Sequence, residues 1–267
     1  MKRLLLADGG FVSVSGYLES QGITVTGSDS DAIELERDKT VAKDVISRAG
    51  LATSQYIVAK IDQRYDEDSL SLKFPLFIKP SNRGAGLGIN EMSVVRNSEE
   101  LNVGIQSLVD EGFSDILIES FLSGREFSVV ILKKEDQERC HIMPLELIAP
   151  ENKNGDRFLS EGVKNDDTEE CIVVKSGDLR DELVNFASKS FVALGARDYG
   201  RVDIRLNDKG VPQFLEANLM PSLVDGLGNF PKACMLVGGL SYESVILRIA
   251  NLALHRKKRK SHAKLGS

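Results

Sequence analysis

Residues 201–218, RVDIRLNDKGVPQFLEAN, constrain the fold most, because they pair two apolar runs across a short turn. The turn residues NDKG at 207–210 include Asp and Gly, which tolerate the left-handed backbone angles of a tight connection. Residues two apart on a strand share a face. The sequence therefore predicts an antiparallel hairpin whose apolar face comprises Val202, Ile204, Leu206 and Leu215.

The second face of this hairpin is polar. In the register that the turn sets, residue 203 lies opposite residue 214, so the acids and the amide of both strands share one face. Two buried carboxylates repel each other and lose hydration, which is unfavourable unless a cation neutralises them. Mg²⁺ or Mn²⁺ binds carboxylate and amide oxygens. A solvated face that happens to be charged is the alternative. The polar residues are Arg201, Asp203, Glu216 and Asn218.

The composition is that of an ordinary globular protein of 267 residues. Its net charge of −6 indicates no nucleic-acid partner. No apolar run reaches the length of a membrane span, and the N-terminal MKRLLLADGG turns polar too early for a signal peptide. Three widely spaced cysteines without a CxxC motif indicate a reducing compartment and no zinc site, so we expect a cytoplasmic protein without a membrane partner.

Strand and helix patterns alternate along the rest of the chain. Asp29 or Ser30 caps a predicted helix that runs to about Ala49, with Lys39 in its interior, where a surface role is the alternative. Other strands are predicted at 23–28, 56–61, 76–79, 90–95, 116–122, 126–132 and 141–148, and other helices at 97–110, at 178–194 and after Ser241.

Two segments lack a periodic pattern. Residues 150–170 are charged and contain glycine, so we interpret them as a long loop, of the kind that often forms a lid. Residues 255–264, HRKKRKSHAK, are interpreted as a disordered, solvated end, with binding of an anionic partner as the alternative.

The segment KPSNRGAGLGI, residues 79–89, places three glycines after Lys79. Glycines let backbone N–H groups surround an anion, so Gly84, Gly86 and Gly88 are a candidate phosphate cradle, although a mobile hairpin tip is the alternative. The segment is not a Walker A motif, because the lysine precedes the glycines. Lys79 ends the apolar strand LFIK, where its ammonium needs an anionic partner such as a nucleotide phosphate.

Four elements in order carry a family resemblance: DK in a helix, KPSxxGxGxGI, LIESFLSGREFSV and GRVDxxxxxxGxxxFLEANxxP. From about residue 9 to residue 253 the chain resembles the ATP-grasp superfamily and, within it, the D-alanine:D-alanine ligase branch. The resemblance implies an α+β fold whose two α+β subdomains hold ATP between them. It also implies an ADP-forming ligase in which ATP phosphorylates a small-molecule carboxylate and an amine attacks the acylphosphate.

The resemblance implies a division of the chain into four parts. Residues 1–27 correspond to a remnant of an N-terminal α/β domain, and residues 255–267 form a basic tail. Residues 28–118 correspond to the smaller ATP-grasp subdomain with its glycine-rich lid, and residues 119–254 to the larger subdomain with the metal-binding hairpin.

The resemblance also implies roles for residues on the ATP side. Lys39 and Lys79 correspond to the lysines at the ATP phosphates, and residues 84–88 to the lid. Residues 119–122 correspond to the adenine-binding linker, and Glu126 to the acid at the ribose hydroxyls. The lid and linker residues are Gly84, Ala85, Gly86 and Gly88, and Glu119, Ser120, Phe121 and Leu122.

On the reacting side, Arg201 corresponds to the arginine beside the transferring phosphate, and the N–H of Ser222 to an oxyanion donor. The implied metal ligands are Asp203, Glu216 and Asn218.

The chain departs from the family pattern on the amino-acid side. Ala85 and Gly86 stand where the lid carries a serine pair, and residues 219–224 read LMPSLV in place of TxPGMT. The N-terminal domain is represented only by its last part. Three hypotheses therefore stay open: a ligase, a nucleotide-binding protein without catalysis, or a subunit that a homodimer or a partner chain completes.

Overall fold

The computed structural model describes residues 3–5, 11–84, 86–134 and 139–265, and over these ranges the chain forms eleven strands and eight α-helices. The strands are β1 (Arg3–Leu5), β2 (Phe11–Ser13), β3 (Tyr56–Val58), β4 (Leu76–Pro80), β5 (Val94–Val95), β6 (Ile116–Ser120), β7 (Glu126–Lys133), β8 (Cys140–Ile148), β9 (Glu170–Val173), β10 (Tyr199–Leu206) and β11 (Pro212–Asn218). The helices are α1 (Val14–Ser20), α2 (Ser30–Arg37), α3 (Lys39–Arg48), α4 (Ser98–Asp110), α5 (Glu161–Asp166), α6 (Asp178–Ala193), α7 (Asn229–Leu236) and α8 (Tyr242–Leu265).

The strands in the described ranges form three antiparallel sheets. The two larger sheets have the strand orders β11-β10-β7-β8-β9 and β3-β6-β4-β5, and β1 pairs with β2 in the third. An isolated parallel bridge joins Thr53, in the segment before β3, to Phe214 of β11. The two larger sheets therefore meet along this segment.

Helices cover both faces of the five-stranded sheet and one face of the four-stranded sheet. Along β7, Phe127 and Val129 pack in a core with α6, while the alternate residues Val130 and Leu132 pack in a second core with α7 and α8. This alternation explains why residues 129–132 of β7 are all apolar. The four-stranded sheet packs on α4 in a third core that includes Leu101 and Ile105.

The predicted hairpin forms from β10 and β11, but a β-bulge changes its register. Asp203 lies opposite Glu216, whereas the next residue, Ile204, lies opposite Phe214, so the predicted pairing of residue 203 with residue 214 is wrong. The extra residue in the bulge, Leu215, lines a cleft rather than the apolar face on which it was predicted. The bulge thereby lets Phe214 enter the core while Glu216 faces the cleft.

A break at Asp38 divides the single helix predicted for residues 29–49 into α2 and α3. Asp38 has extended backbone angles (φ −98°, ψ 108°), and its carboxylate accepts from the N–H groups of Thr40 and Val41. It is therefore an N-cap. Lys39 begins α3 instead of lying inside a helix, and its backbone N–H donates to Ser81 O at 3.1 Å. Lys39 is buried, so the alternative of a surface role is wrong.

Two other segments differ from the sequence prediction. The region predicted as a loop at 150–170 contains α5 and the first residue of β9. Residues 23–28 do not form the predicted strand, and backbone groups of Gly27 bond to side chains instead. The N–H of Gly27 donates to Asp198 at 3.1 Å, and its carbonyl accepts from Arg197 at 2.6 Å.

The C-terminal basic segment continues α8 to Leu265, so the prediction of a disordered end is wrong. Arg256 donates to Asp198 and to the carbonyl of Val25, both at 2.5 Å, and this contact ties the helix to the core. Among the described residues, no helix has the combined length and apolar character that a membrane span requires.

Gly124, between β6 and β7, leaves no room for a side chain, since a Cβ there would lie 2.4 Å from the backbone oxygen of Leu206. We expect Gly124→Ala to lower the free energy of unfolding by about 1–3 kcal/mol, because the neighbouring atom belongs to the backbone. Gly162→Ala is the matched control, since its Cβ would meet nothing closer than Ser160 Oγ at 3.9 Å. Urea unfolding measures both variants, and equal stabilities would contradict the close approach.

Candidate functional site

A cleft lies between the two larger sheets. Its walls come from β4 and β6 on one side and from β7, β10 and β11 on the other. The predicted site residues that line it are Lys79, Glu119, Ser120, Phe121, Leu122, Glu126, Asp203 and Glu216. The other lining residues are Phe77, Ile89, Phe158, Leu159, Lys164, Arg205 and Leu215.

A buried carboxylate lies between two lysines at the base of this cleft. Lys79 Nζ lies 2.5 Å from Glu119 Oε1, and Lys43 Nζ lies 2.9 Å from Glu119 Oε2. The hydroxyl of Ser54 also donates to Oε2, at 2.8 Å. All three charged residues are buried, and we call Lys43, Glu119 and Lys79 the Glu119 cluster.

The Glu119 cluster shifts the pKa values of its members. Burial on its own would raise the pKa of Glu119, but Lys43 and Lys79 outweigh it and lower the pKa to about 2. Burial lowers the pKa of Lys43 to about 8, although Glu119 opposes this effect. Glu119 is therefore ionised at neutral pH, and its carboxylate faces lysines.

The sequence analysis missed Lys43. It lies four residues after Lys39 on α3, on the face that buries Ala42 and Ile46. A lysine on the apolar face of a predicted helix is the signal that would have found it, because a buried ammonium needs partners.

Lys39 brings α3 to β11. Its Nζ lies 3.3 Å from Glu216 Oε2 and donates to the carbonyl of Arg83, at the start of the glycine loop. Lys164 of α5 lies 4.0 Å from Glu216 Oε1. Burial on its own would raise the pKa of Glu216, but Lys39 and Lys164 contribute most to a net shift downward.

The predicted metal ligands lie on the bulged hairpin. Asp203 accepts from the hydroxyl of Ser128 at 2.8 Å and from Arg201 Nη2 at 3.0 Å, and Arg201 lies opposite Asn218. In the described part of the chain, no group of three or more His, Cys, Asp or Glu side chains is suited to hold a metal. The predicted set differs from such a group because its third ligand is an amide, and two carboxylates with an amide oxygen fit Mg²⁺.

Glu126 adds a third carboxylate to the same cleft and accepts from Arg205 Nη1 at 3.1 Å. Burial is the largest cause of its raised pKa. Arg205 opposes the rise, and the charges of Asp203 and Glu216 add to it. The three carboxylates therefore share this end of the cleft with their basic partners, which are Arg201 for Asp203, Lys39 and Lys164 for Glu216, and Arg205 for Glu126.

An aromatic wall lies beside the linker between β6 and β7. The rings of Phe77 and Phe121 stack with centroids 6.2 Å apart, and Phe158 meets Phe77 edge-on at 5.6 Å. The guanidinium of Arg205 lies 5.3 Å from the Phe121 ring. Such a wall suits a planar heterocycle. Phe77 lies two residues before Lys79 on one strand, so period-two parity would have found it, whereas Phe158 comes from the region predicted as a loop.

The glycine loop contacts α5. The N–H of Gly88 donates to Glu161 Oε2 at 3.4 Å, and the N–H of Glu161 donates to the carbonyl of Ile89 at 3.0 Å. Gly86 has φ +75°, and a Cβ there would lie 3.2 Å from both Glu161 N and Lys164 Cδ. Because residues 150–170 were predicted as a loop, the sequence analysis missed Lys164, which α5 brings to the cleft. Of the predicted lid residues, Gly84, Gly86 and Gly88 are described, and Ala85 lies outside the described residues.

Asn218 and Ser222, like Lys39, Arg201 and the described glycines of the loop, are not among the residues that line the cleft. Asn218 Oδ1 accepts from the N–H of Met220 at 3.2 Å, and Ser222 is exposed in the loop after β11. The N–H of Leu219 donates to Glu36 at 2.8 Å, which fixes the start of this loop to α2.

Glu119→Gln tests the pairing in the Glu119 cluster. The folded pKa of about 2 lies below the ordinary 4.5, so ionised Glu119 stabilises the folded protein above pH 4.5. This stability is lost as the pH falls from about 4.5 towards 2, at up to about 1.4 kcal/mol per pH unit. We expect the variant to be less stable than the wild type at neutral pH, by a difference that shrinks below pH 4.5.

Urea unfolding at neutral pH and at about pH 3.5 measures this difference. Glu182→Gln, at an exposed position on α6, is the control. A difference between the wild type and Glu119→Gln that stays constant across this range would contradict the lowered pKa.

Comparisons with known proteins agree with this geometry. The family model described as D-ala D-ala ligase C-terminus matches residues 45–251. The chain is 30% identical over 237 residues to the D-alanine–D-alanine ligase of Geobacter sulfurreducens, which covers 89% of this chain and 71% of the relative. It is 29% identical over 249 residues to that of Hydrogenovibrio crunogenus, covering 92% and 74%.

Among solved structures, the D-alanine–D-alanine ligase of Bacillus anthracis complexed with ATP matches with a TM-score of 0.74 and 22% identity. The match covers 92% of this chain and 76% of that chain. The predicted α+β ATP-grasp fold is confirmed by this likeness. On the family model and the sequence identity, the chain belongs to the D-alanine–D-alanine ligase family.

Proposed function

We propose that the protein is an ATP-dependent, ADP-forming carboxylate–amine ligase that acts through an acylphosphate on amino acids. The observation that carries the proposal is the convergence of Lys39, Lys79 and Lys164 with Asp203 and Glu216 at one buried cleft. Phosphoryl transfer needs positioned charge around the phosphate oxygens, and no side-chain nucleophile. Family membership favours this ligase over the alternative of a nucleotide-binding protein without catalysis.

In this proposal ATP lies along the cleft. The adenine packs against Phe121, where the backbone of residues 120–122 supplies hydrogen bonds, and Glu126 accepts from the ribose hydroxyls. The phosphates lie towards Lys39 and Lys79, under the glycine loop. Because the carboxylate of Glu119 forms ion pairs with Lys43 and Lys79, only the backbone of Glu119 contacts the adenine.

Asp203, Glu216 and Asn218 are the residues that would hold Mg²⁺ or Mn²⁺. When bound, the ion neutralises phosphate oxygens and polarises the transferring group. Two carboxylates and an amide oxygen are ligands that Mg²⁺ accepts, which supports a cation at this end of the cleft.

The reaction has two steps. The bond between the terminal phosphorus of ATP and the ADP oxygen breaks, while a bond to the carboxylate oxygen of the first substrate forms. The amine of the second substrate then attacks the acyl carbon, and inorganic phosphate leaves. Arg201 is suited to the transferring phosphoryl group, because its buried Nε has no hydrogen-bond partner among the described residues. The N–H of Ser222 is the proposed oxyanion donor.

D-alanine is the first candidate for both substrates, because the relatives are named for it. The altered residues 219–224 lie where the second amino acid would bind, so the panel of candidates extends beyond D-alanine. The exposed apolar side chains of Val224, Leu227 and Met235 beside this loop support a homodimer or partner subunit on the amino-acid side. Sedimentation of the purified protein tests self-association.

We also propose that the protein is located in the cytoplasm.

The test is ADP release by the purified protein with Mg-ATP and pooled D- and L-amino acids or small carboxylates. We expect Glu216→Gln to lower the rate at least about a hundredfold, because it removes one of the two carboxylates that would hold the cation at the phosphates. Glu243→Gln, at an exposed position on α8, is the matched control. Release of AMP and pyrophosphate, or Mg-ATP binding without ADP release in every pool, would contradict the proposal.

A further inference from the structure

We propose that Lys43 is a positioning residue for nucleotide binding: it neutralises Glu119 from the side away from the cleft, so that Lys79 can direct its charge to an anionic group in the cleft. The inference rests on the proposed function, in which that group is the phosphate chain of ATP. Lys43 touches no ligand in this scheme and acts only through Glu119.

The coordination of Lys43 supports a fixed role. Its Nζ lies 2.9 Å from each of Thr53 Oγ1, Ser54 Oγ and Glu119 Oε2, and its side chain is 0% exposed. An ammonium has three N–H donors, and these three acceptors match them. Lys43 is therefore held in place and is absent from the lining of the cleft.

Lys79 is placed differently, because it lines the cleft and meets Glu119 through the other carboxylate oxygen, Oε1. A phosphate oxygen that enters the cleft can share or replace this contact. Glu119 then keeps its bonds from Lys43 and Ser54 through Oε2, so the buried carboxylate stays neutralised. Without Lys43, the same movement would leave a buried carboxylate uncompensated, which is strongly unfavourable.

The formal charges of the Glu119 cluster make this role measurable. Two lysines and one carboxylate give a net charge of +1 beside the cleft. Lys43→Met makes the cluster neutral and leaves Glu119 to hold Lys79. The double variant Lys43→Met/Glu119→Gln returns the net charge to +1 while removing both groups. Affinity for the phosphates then follows the net charge of the cluster and not the presence of Lys43 itself.

Lys43 also has contacts that suit a purely structural role. The carbonyl of Phe214 lies 3.5 Å from its Nζ and accepts from Thr53 at 2.8 Å, so Lys43 lies where α3 and the two larger sheets meet. A structural role predicts that the double variant is at least as impaired as Lys43→Met. The charge role predicts recovery.

The experiment is titration calorimetry of Mg-ATP with the wild type, Lys43→Met, Glu119→Gln and the double variant, with thermal unfolding of each. Lys189→Met, at an exposed position on α6, is the control. We expect Lys43→Met to raise the Kd at least about tenfold by removing one charge near the phosphates, with a smaller effect on kcat at saturating ATP. We expect the double variant to return to within about threefold of the wild type.

The outcomes separate this inference from the proposed function. A wild type that binds Mg-ATP, with a double variant as weak as Lys43→Met, would overturn the inference alone. A wild type that binds Mg-ATP and shows the recovery, but releases no ADP, supports the inference and contradicts the ligase. A wild type that binds no Mg-ATP contradicts both.

If Lys43→Met fails to fold, the pH dependence of Mg-ATP affinity tests the charge role of Lys43 instead. The ionisable groups that face Lys43 are Glu119, Lys79, Glu216 and Tyr56, whose ring lies 5.9 Å from Nζ. Loss of the Lys43 proton above a pKa of about 8 gives the cluster the charge of Lys43→Met, so the affinity of the wild type falls as the pH rises through about 8. In Lys43→Arg the guanidinium keeps its charge, and we expect this fall to disappear. An identical fall in both proteins would overturn the inference.

Discussion

The ionisation of one buried carboxylate, Glu119, is the interaction on which the cleft depends. An isolated carboxylate in the interior is strongly unfavourable, and Lys43 and Lys79 offset that cost by approaching its two oxygens from opposite sides. The lysines come from α3 and β4, and Glu119 comes from β6. The same contacts that join these elements therefore also set the positive charge at the base of the cleft, so folding and ligand recognition use one set of atoms.

The opposite wall depends on the β-bulge in the β10–β11 hairpin. With uninterrupted pairing, Phe214 and Glu216 would lie on one face, and either a phenyl ring would enter the polar cleft or a carboxylate would enter the core. One extra residue resolves this conflict, so that Asp203 and Glu216 lie side by side while Phe214 packs with Ile204. The hairpin thus presents the carboxylates of Asp203 and Glu216 to a cleft that Lys79 lines from the four-stranded sheet, which suits a nucleotide phosphate chain with its cation.

Sequence patterns predict the parts of this site whose residues are close in the chain. Parity along one strand placed Asp203 on the polar face, and glycine spacing after Lys79 located the loop. The bulge has no sequence signal of its own, because it follows from core packing against Phe214. The sequence predicts a continuous helix through Asp38, whereas in the structure the carboxylate of Asp38 caps α3. Lys164 has no such local signal, since only contacts between distant segments bring it to the cleft.

The contact between the glycine loop and α5 has a kinetic consequence. The two segments belong to different halves of the molecule, and a backbone hydrogen bond from Glu161 to Ile89 joins them. Neither segment can move away from the cleft without breaking that bond or moving the other. We therefore expect the loop and α5 to move away from the cleft together, as one cooperative event.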